Sequence, residues 1–214
     1  MKQTHKHIDF FWKQLEQTID QLLDSRDEDR FDADSLLKDY REQLEKIDRN
    51  LTFHFERDDE QEGLVEMIFG CDGFPESISA VLSLIGAAPD LQGISFKAFN
   101  HRYDPVPSHI NIGDELCDIK DFWFSLRDVR GRLNLDIYMT DVPGVLDMDP
   151  RVEAVMIFLD ALIGEYELMT RIQAMDWFEL PAAPDDYGLL PLSELRPLFD
   201  IMKLKATPVG IKLH

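Results

Sequence analysis

The sequence predicts an α+β fold, in which helices pack on a mixed or mostly antiparallel sheet of about six strands and a helical hairpin precedes the sheet. Three observations indicate this fold. Apolar residues recur at intervals of three and four over the first fifty residues, the period changes to two at Leu51, and segments of both kinds then alternate to Leu180. The length of 214 residues and the hydrophobic fraction of 44% suffice for a core.

The first fifty residues predict two amphipathic helices joined by a polar link. Asp34 or Ser35 is expected to cap the second helix, because either side chain can accept a hydrogen bond from a first-turn N–H. Two such helices in succession predict an αα-hairpin. The apolar faces carry Ile8, Phe11, Trp12, Leu15, Ile19, Leu22 and Leu23 in the first helix and Leu36, Leu37, Tyr40, Leu44 and Ile47 in the second.

The next part of the chain predicts two strands, a helix and a third strand. Alternation of apolar and polar residues indicates the strands. Proline suits the first position of a helix, and a glycine often follows its end. The predicted elements are a strand from Leu51, a charged turn up to Gly63, a strand over Leu64–Cys71, a helix from Pro75 to Gly86 and a strand over Ile94–Phe99.

The second half repeats this order after an irregular segment, His101–Glu115, that contains two prolines. We expect Asp149 to cap the helix and Gly164 to end it. The last strand is predicted over Tyr166–Leu180, with the alternative that the helix continues through Thr170. The other predicted elements are strands over Phe122–Val129 and Leu133–Thr140, a helix over Pro150–Ile163, a loop over Pro181–Tyr187, a helix over Pro191–Met202 and a tail over 203–214.

The order strand, strand, helix, strand therefore occurs twice, with corresponding elements about 70 residues apart, which is the spacing of an internal structural repeat. The alternative is that any α+β chain with evenly sized elements produces such an order. We accordingly predict a helical hairpin over residues 1–50, an α+β core over 51–180 and a C-terminal helix and tail over 181–214. The two halves of the core would be 51–100 and 122–180.

Charge and cysteine content limit the function. The net charge is −20, from 42 acidic and 22 basic residues spread along the chain, so we predict no direct nucleic-acid partner and no membrane partner. The first residues do not resemble a secretory signal, and no apolar run is long enough to span a membrane. Two widely separated cysteines indicate a reducing compartment. We predict a soluble, acidic, cytoplasmic protein.

The sequence lacks the motifs of dinucleotide-binding, P-loop, zincin and α/β-hydrolase sites. We predict no cofactor and favour the interpretation that the protein is not an enzyme. The candidates for a metal site are His101, His109, Asp114 and Glu115, which surround the irregular segment. Zinc needs three or four converging ligands of these types. The alternative is a solvated polar loop.

Three other kinds of residue are candidates for chemistry. Cys71 precedes a predicted helix N-terminus, whose dipole lowers a thiol pKa, although a buried structural cysteine is the favoured interpretation. Glu165 follows the end of a core helix, where it could act in a site, pair with an arginine or face solvent. Four pairs of nearby carboxylates fall in predicted turns, where capping is their expected role: Asp58–Asp59, Asp114–Glu115, Asp147 with Asp149, and Asp185–Asp186.

Adjacent aromatic residues indicate a contact surface. Neighbouring side chains on a strand point to opposite faces, so a segment such as Phe122–Trp123–Phe124 places aromatic groups on both. A second layer of the same chain could cover the outer group, or another subunit could. We predict a non-catalytic binding or regulatory module that acts through protein contacts, with a protein partner or a homodimer. The alternatives are an enzyme or small-ligand sensor with a site near residues 101–115, and an acidic inhibitor or immunity-type protein for a basic partner.

Overall fold

A computed structural model describes residues 2–24, 33–57 and 64–206 of the chain. These residues form six α-helices and nine strands, and the strands form sheets of three, two and four members, which confirms the α+β prediction. The chain divides into two compact units, the first extending to Phe99 and the second beginning at Asn100. The domain boundaries predicted at residues 50 and 180 stay predictions. Among the helices of the described residues, none is long and apolar enough to cross a membrane.

The first unit contains the predicted helix pair and a three-stranded sheet. Strand β2 lies in the centre, antiparallel to β1 and parallel to β3. Helix α2 already includes Asp34 in its first turn, so the prediction that Asp34 or Ser35 is the cap was wrong. The carboxylate of Asp34 instead interacts favourably with the positive end of the helix dipole. The elements are α1 (Lys2–Asp24), α2 (Ala33–Glu45), β1 (Thr52–Arg57), β2 (Val65–Gly70), α3 (Ile78–Ile85) and β3 (Ile94–Ala98).

Aromatic side chains join the elements of the first unit. The Trp12 indole Nε1 donates a hydrogen bond to the Leu84 carbonyl at 3.0 Å, which ties α1 to the end of α3. Phe11 contacts Phe69 and Tyr40 edge-on, with ring centroids 5.8 and 6.1 Å apart. The Tyr40 hydroxyl lies 2.7 Å from Thr18 Oγ1, so its polar end has a partner inside the core.

The second unit has a four-stranded sheet in the order β8-β7-β6-β9 and a separate β4–β5 hairpin. The expectation of an irregular segment up to Glu115 was wrong at its end, because Ile110 and Ile112 alternate with polar residues and pair with β5. The elements are β4 (His109–Ile112), β5 (Glu115–Asp118), β6 (Trp123–Asp128), β7 (Leu133–Met139), α4 (Pro150–Ile163), α5 (Glu165–Arg171), β8 (Ile172–Glu179), β9 (Leu190–Pro191) and α6 (Leu195–Met202).

Two element boundaries of the second unit differ from the expected ones by four residues or more. The segment expected to be a strand from Tyr166 forms α5 and becomes a strand only at Ile172, close to the alternative of a helix through Thr170. Leu168 and Met169 are buried in this helix. Helix α6 begins at Leu195, because Pro191 pairs in β9 and Leu192–Glu194 form a 3-10 turn before it.

The two strand–strand–helix–strand segments have the same topology. In each, a hairpin is followed by a helix and by a third strand that pairs in parallel with the second strand of the hairpin. The strand orders β1-β2-β3 and β6-β7-β8 correspond, with α3 and α4 as the crossover helices. Helix α5 is an addition to the second segment. The predicted repeat is therefore present as a repeat of topology.

Helix α4 packs on one face of the four-stranded sheet, which we call the inner face. Buried side chains of β6 and β7, including Phe124 and Ile137, form one core with Phe158 and Leu159 of α4 and with Phe199 of α6. A 14-residue helix that packs on a sheet in this way leaves its last carbonyls inside the protein, where they need donors.

Two arginine side chains supply those donors. Arg196 Nε and Nη2 donate to the carbonyls of Leu162 and Ala161 at 2.9 and 2.8 Å. Arg102 Nε donates to the carbonyl of Ile163 at 3.0 Å. Gly164 then ends the helix at φ 86°, a conformation that strongly favours glycine.

We predict that Arg196→Met lowers the free energy of unfolding by about 1–3 kcal/mol, since the buried Leu162 carbonyl loses its side-chain donor while the Ala161 carbonyl keeps only the Tyr103 N–H. Arg196→Lys should lose part of this stability, because an ammonium keeps the charge but lacks the planar fork of donors. Urea unfolding followed by circular dichroism measures both. The exposed Lys205→Met is the control, and an Arg196→Met variant as stable as that control would contradict the capping role.

Candidate functional site

The four candidate metal ligands lie in and before the β4–β5 hairpin. His109 begins β4 opposite Asp118, and its Nδ1 lies 3.0 Å from Ser108 Oγ. Asp114 is in the turn, and Glu115 follows it at the start of β5. His101 stacks on Tyr103 with ring centroids 5.2 Å apart.

The hairpin separates these candidates. His109 and Glu115 lie at its opposite ends, which are three residues or roughly 10 Å apart along the strand. Within the described part of the second unit, the ligand atoms of His101, His109, Asp114 and Glu115 do not gather into one group. The metal site stays a prediction, and the geometry of the second unit does not add to it.

The two cysteines are buried. Cys71 Sγ donates to the Phe74 carbonyl at 3.3 Å, in the turn before α3. Burial raises the pKa of the Cys117 thiol, and the carboxylates of Glu115, Asp149 and Asp121 raise it further against the opposing effect of Arg151. A thiol in this environment stays protonated at neutral pH, so Cys117 is not an activated nucleophile.

Glu165 is buried and is held by hydrogen bonds to the backbone of Asn100. Its side chain is buried, and its Oε2 accepts a hydrogen bond from the Asn100 backbone N–H at 3.0 Å. The Asn100 carbonyl in turn accepts one from the Glu165 N–H. The expectation that Glu165 could face solvent was wrong, because these two bonds hold it beside the segment that enters the second unit.

The nearby acidic residue Glu167 makes two ion pairs. Arg102 Nη2 lies 3.0 Å from Glu167 Oε2 and 2.9 Å from Asp200 Oδ1. Lys203 Nζ lies 2.7 Å from the same Glu167 oxygen. The hydrogen bonds of Arg102 lower the pKa of Asp200 despite its partial burial. This network connects α5 to α6.

A cavity of about 320 Å³ lies at one end of the four-stranded sheet, where β6 begins and the parallel strands β7 and β8 end. Its volume falls within the range of roughly 300–1,000 Å³ typical of small-ligand sites. In parallel sheets, ligands bind beside the carboxyl ends of the strands. The cavity lies at such an edge, because β7 and β8 are parallel and both end there. The lining residues are Glu115, Leu116, Cys117, Lys120, Asp121, Phe122, Trp123, Met139, Thr140, Arg151 and Leu180.

The two cations of the cavity are already paired. Arg151 Nε and Nη2 bind both oxygens of Asp149 at 3.0 and 2.7 Å. The same guanidinium donates to the carbonyls of Thr140 and Asp141 at 2.8 and 2.9 Å, which ties α4 to the end of β7. Lys120 Nζ lies 2.7 Å from Asp118 Oδ2. The positive charges of the lining are therefore neutralised by carboxylates outside it.

The opposite face of the four-stranded sheet, which we call the outer face, carries a row of aromatic side chains. The strand register aligns Trp123 with Tyr138 and Tyr138 with Phe178, across β6, β7 and β8. The rings of Tyr138 and Phe178 stack with centroids 5.4 Å apart, and Phe178 is 43% exposed. We call Trp123, Tyr138 and Phe178 the aromatic row.

Charged residues lie beside the aromatic row. Asp136 and Asp176 form the next register pair, and Arg127 binds both oxygens of Asp136 at 2.9 Å. The Asp136 side chain is only 5% exposed, whereas that of Arg127 is 54% exposed. Burial and the Asp136 charge raise the pKa of Tyr138, so its hydroxyl stays neutral and can donate a hydrogen bond.

Sequence reasoning identified the adjacent aromatics of β6 but neither the aromatic row nor the cavity. The alternation of β7 does indicate that Tyr138 lies opposite the core, but the register that aligns it with Trp123 and Phe178 joins distant segments. No family model, curated protein or solved structure matches the chain.

We predict that Asp149→Ala destabilises the protein by about 1–2 kcal/mol, whereas Asp149→Asn has a smaller effect at neutral pH because asparagine is also a good N-cap. Asp149 accepts from the Arg151 N–H at 2.9 Å, and the hydrogen bonds of Arg151 lower its pKa. The ionised carboxylate stabilises the fold fully above its unfolded pKa of about 3.9 and loses that effect as the pH falls through the lower folded pKa.

Denaturant unfolding as a function of pH checks the sign of this effect. The asparagine variant should lose less stability than the wild type between about pH 5 and pH 2. Parallel curves for the two proteins would contradict the ion pair.

Proposed function

We propose that the protein is a non-catalytic binding module that acts through protein–protein contacts, and that the aromatic row lies in its contact surface. The alignment of Trp123, Tyr138 and Phe178 on the outer face carries the proposal. The inner face of the same sheet already packs against α4 and α6, so the core does not require aromatic side chains on the outer face.

The chemistry of the outer face fits a protein partner. Aromatic residues and arginine are enriched in protein interfaces, and truncating them has the largest effects on affinity. The aromatic row offers apolar area, and the neighbouring Arg127 and Asp176 offer charge at its border. Both are exposed side chains. This arrangement resembles an apolar centre with a polar rim.

Strand β8 supports self-association as one form of this contact. It is eight residues long and forms one edge of the four-stranded sheet, with β7 as its one neighbour among the described strands. An edge strand presents backbone N–H and C=O groups that can pair with another chain. Two copies joined antiparallel through β8 would form one continuous sheet, with a two-fold axis between the two aromatic rows. A homodimer is therefore the proposed form of self-contact.

The proposed compartment is the cytoplasm, where the buried thiols of Cys71 and Cys117 would stay reduced. The net charge of −20 also suits binding to a basic protein partner, which is what an acidic inhibitor would bind. This negative charge is spread along the chain and is not concentrated on the aromatic row. The cavity favours small-ligand binding as a second function.

We predict that Phe178→Ser weakens the contact at least about tenfold, because it removes apolar area from the centre of the interface. Sedimentation equilibrium measures self-association, and quantitative retrieval from native lysate measures a complex with another protein. Tyr187→Ser is the control, since Tyr187 is 72% exposed and belongs to the loop before β9.

A control variant that assembles like the wild type, together with loss of assembly in Phe178→Ser, supports the proposal. Assembly of Phe178→Ser at wild-type affinity would contradict it. A wild-type protein that stays monomeric and retrieves no partner would contradict it as well.

A further inference from the structure

The geometry of the cavity in the second unit points to a site for an ammonium group carried on a short apolar stem. The site shares Trp123 with the aromatic row, but its charged residues lie outside the row. The volume of about 320 Å³ accommodates a small amine or the end of a lysine side chain.

The sign of the charge in the cavity determines the class of ligand. Glu115 and Asp121 line it, and both are exposed acidic side chains. The two cations of the lining, Arg151 and Lys120, are each paired with a further carboxylate, Asp149 or Asp118. Four carboxylates thus stand against two cations, so the site favours a positive ligand and disfavours carboxylates and phosphates.

The raised pKa of Cys117 agrees with an excess of negative charge in the cavity. Its thiol lies in the lining, and the neighbouring carboxylates raise its pKa in addition to burial, while Arg151 lowers it. The negative groups therefore dominate the electrostatic environment of the cavity. The net charge of −20 adds a long-range attraction for cations.

The apolar part of the lining suits the stem of the ligand. Leu116 and Leu180 offer aliphatic contacts, and Trp123 contributes an indole, the ring that attracts ammonium groups most strongly. Carboxylates together with an aromatic ring are the combination that recognises alkylammonium ions. The shared chemistry allows two sources, a free amine or a lysine side chain of a protein partner.

The test is an NMR titration of the full ¹⁵N-labelled chain with n-butylamine, N-acetyl-lysine methylamide, n-butanol and butyrate. Both ammonium compounds should shift the amide signals of residues 115–121 and the Trp123 indole signal saturably, with millimolar or tighter Kd. The neutral alcohol and the anion should leave them unshifted. Tighter binding of the lysine derivative indicates a protein-borne lysine, and tighter binding of butylamine indicates a free amine; both outcomes support the site.

Paired variants separate the cavity from the general charge of the protein. Glu115→Gln with Asp121→Asn should weaken ammonium binding at least about tenfold, because it removes the two carboxylates that line the cavity. Asp185→Asn with Asp186→Asn removes the same charge from the exposed turn before β9 and should keep wild-type affinity.

Two results would overturn the site. One is equal weakening in both double variants, and the other is the absence of a saturable shift with either ammonium compound. The dispersion of the amide spectrum shows that each variant is folded. The self-association and lysate measurements do not depend on these variants, so a failure here is distinguishable from a failure of the protein contact.

Discussion

Buried carbonyls at the end of α4 need donors that the helix itself cannot provide, and the arrangement of the second unit depends on how these donors are supplied. Arg196 comes from α6, and Arg102 comes from the segment that enters the unit, so one set of hydrogen bonds positions three parts of the chain. Arg102 also binds Asp200 and Glu167, which fixes α5 against α6. Helices α4 and α6 then pack on the inner face of the sheet.

This division of the sheet into two faces explains the proposed function. The inner face is covered by helices, and the outer face carries aromatic and charged side chains in register. At the start of α4, Arg151 pairs with Asp149 and with carbonyls at the end of β7, which shapes the cavity. The same helix thus determines which face stays available for contacts and where a ligand site forms.

Local patterns predicted much of the fold, because periodicity and capping depend on neighbouring residues. The alternation of Leu133, Leu135 and Ile137 defined β7 and its buried face. The helix at Glu165–Arg171 was ambiguous, since Leu168 and Met169 fit either period. The aromatic row and the cavity could not be predicted, because both combine strands from distant parts of the chain through a register that local sequence does not encode.

Hydroxyl-radical footprinting in native cells, compared with the dilute purified protein, tests the proposal that the outer face of the four-stranded sheet is a contact surface. We expect oxidation of Tyr138 and Phe178 to fall at least about threefold in cells while oxidation of the exposed Tyr187 is unchanged. Equal oxidation of the aromatic row in both states would contradict the proposal.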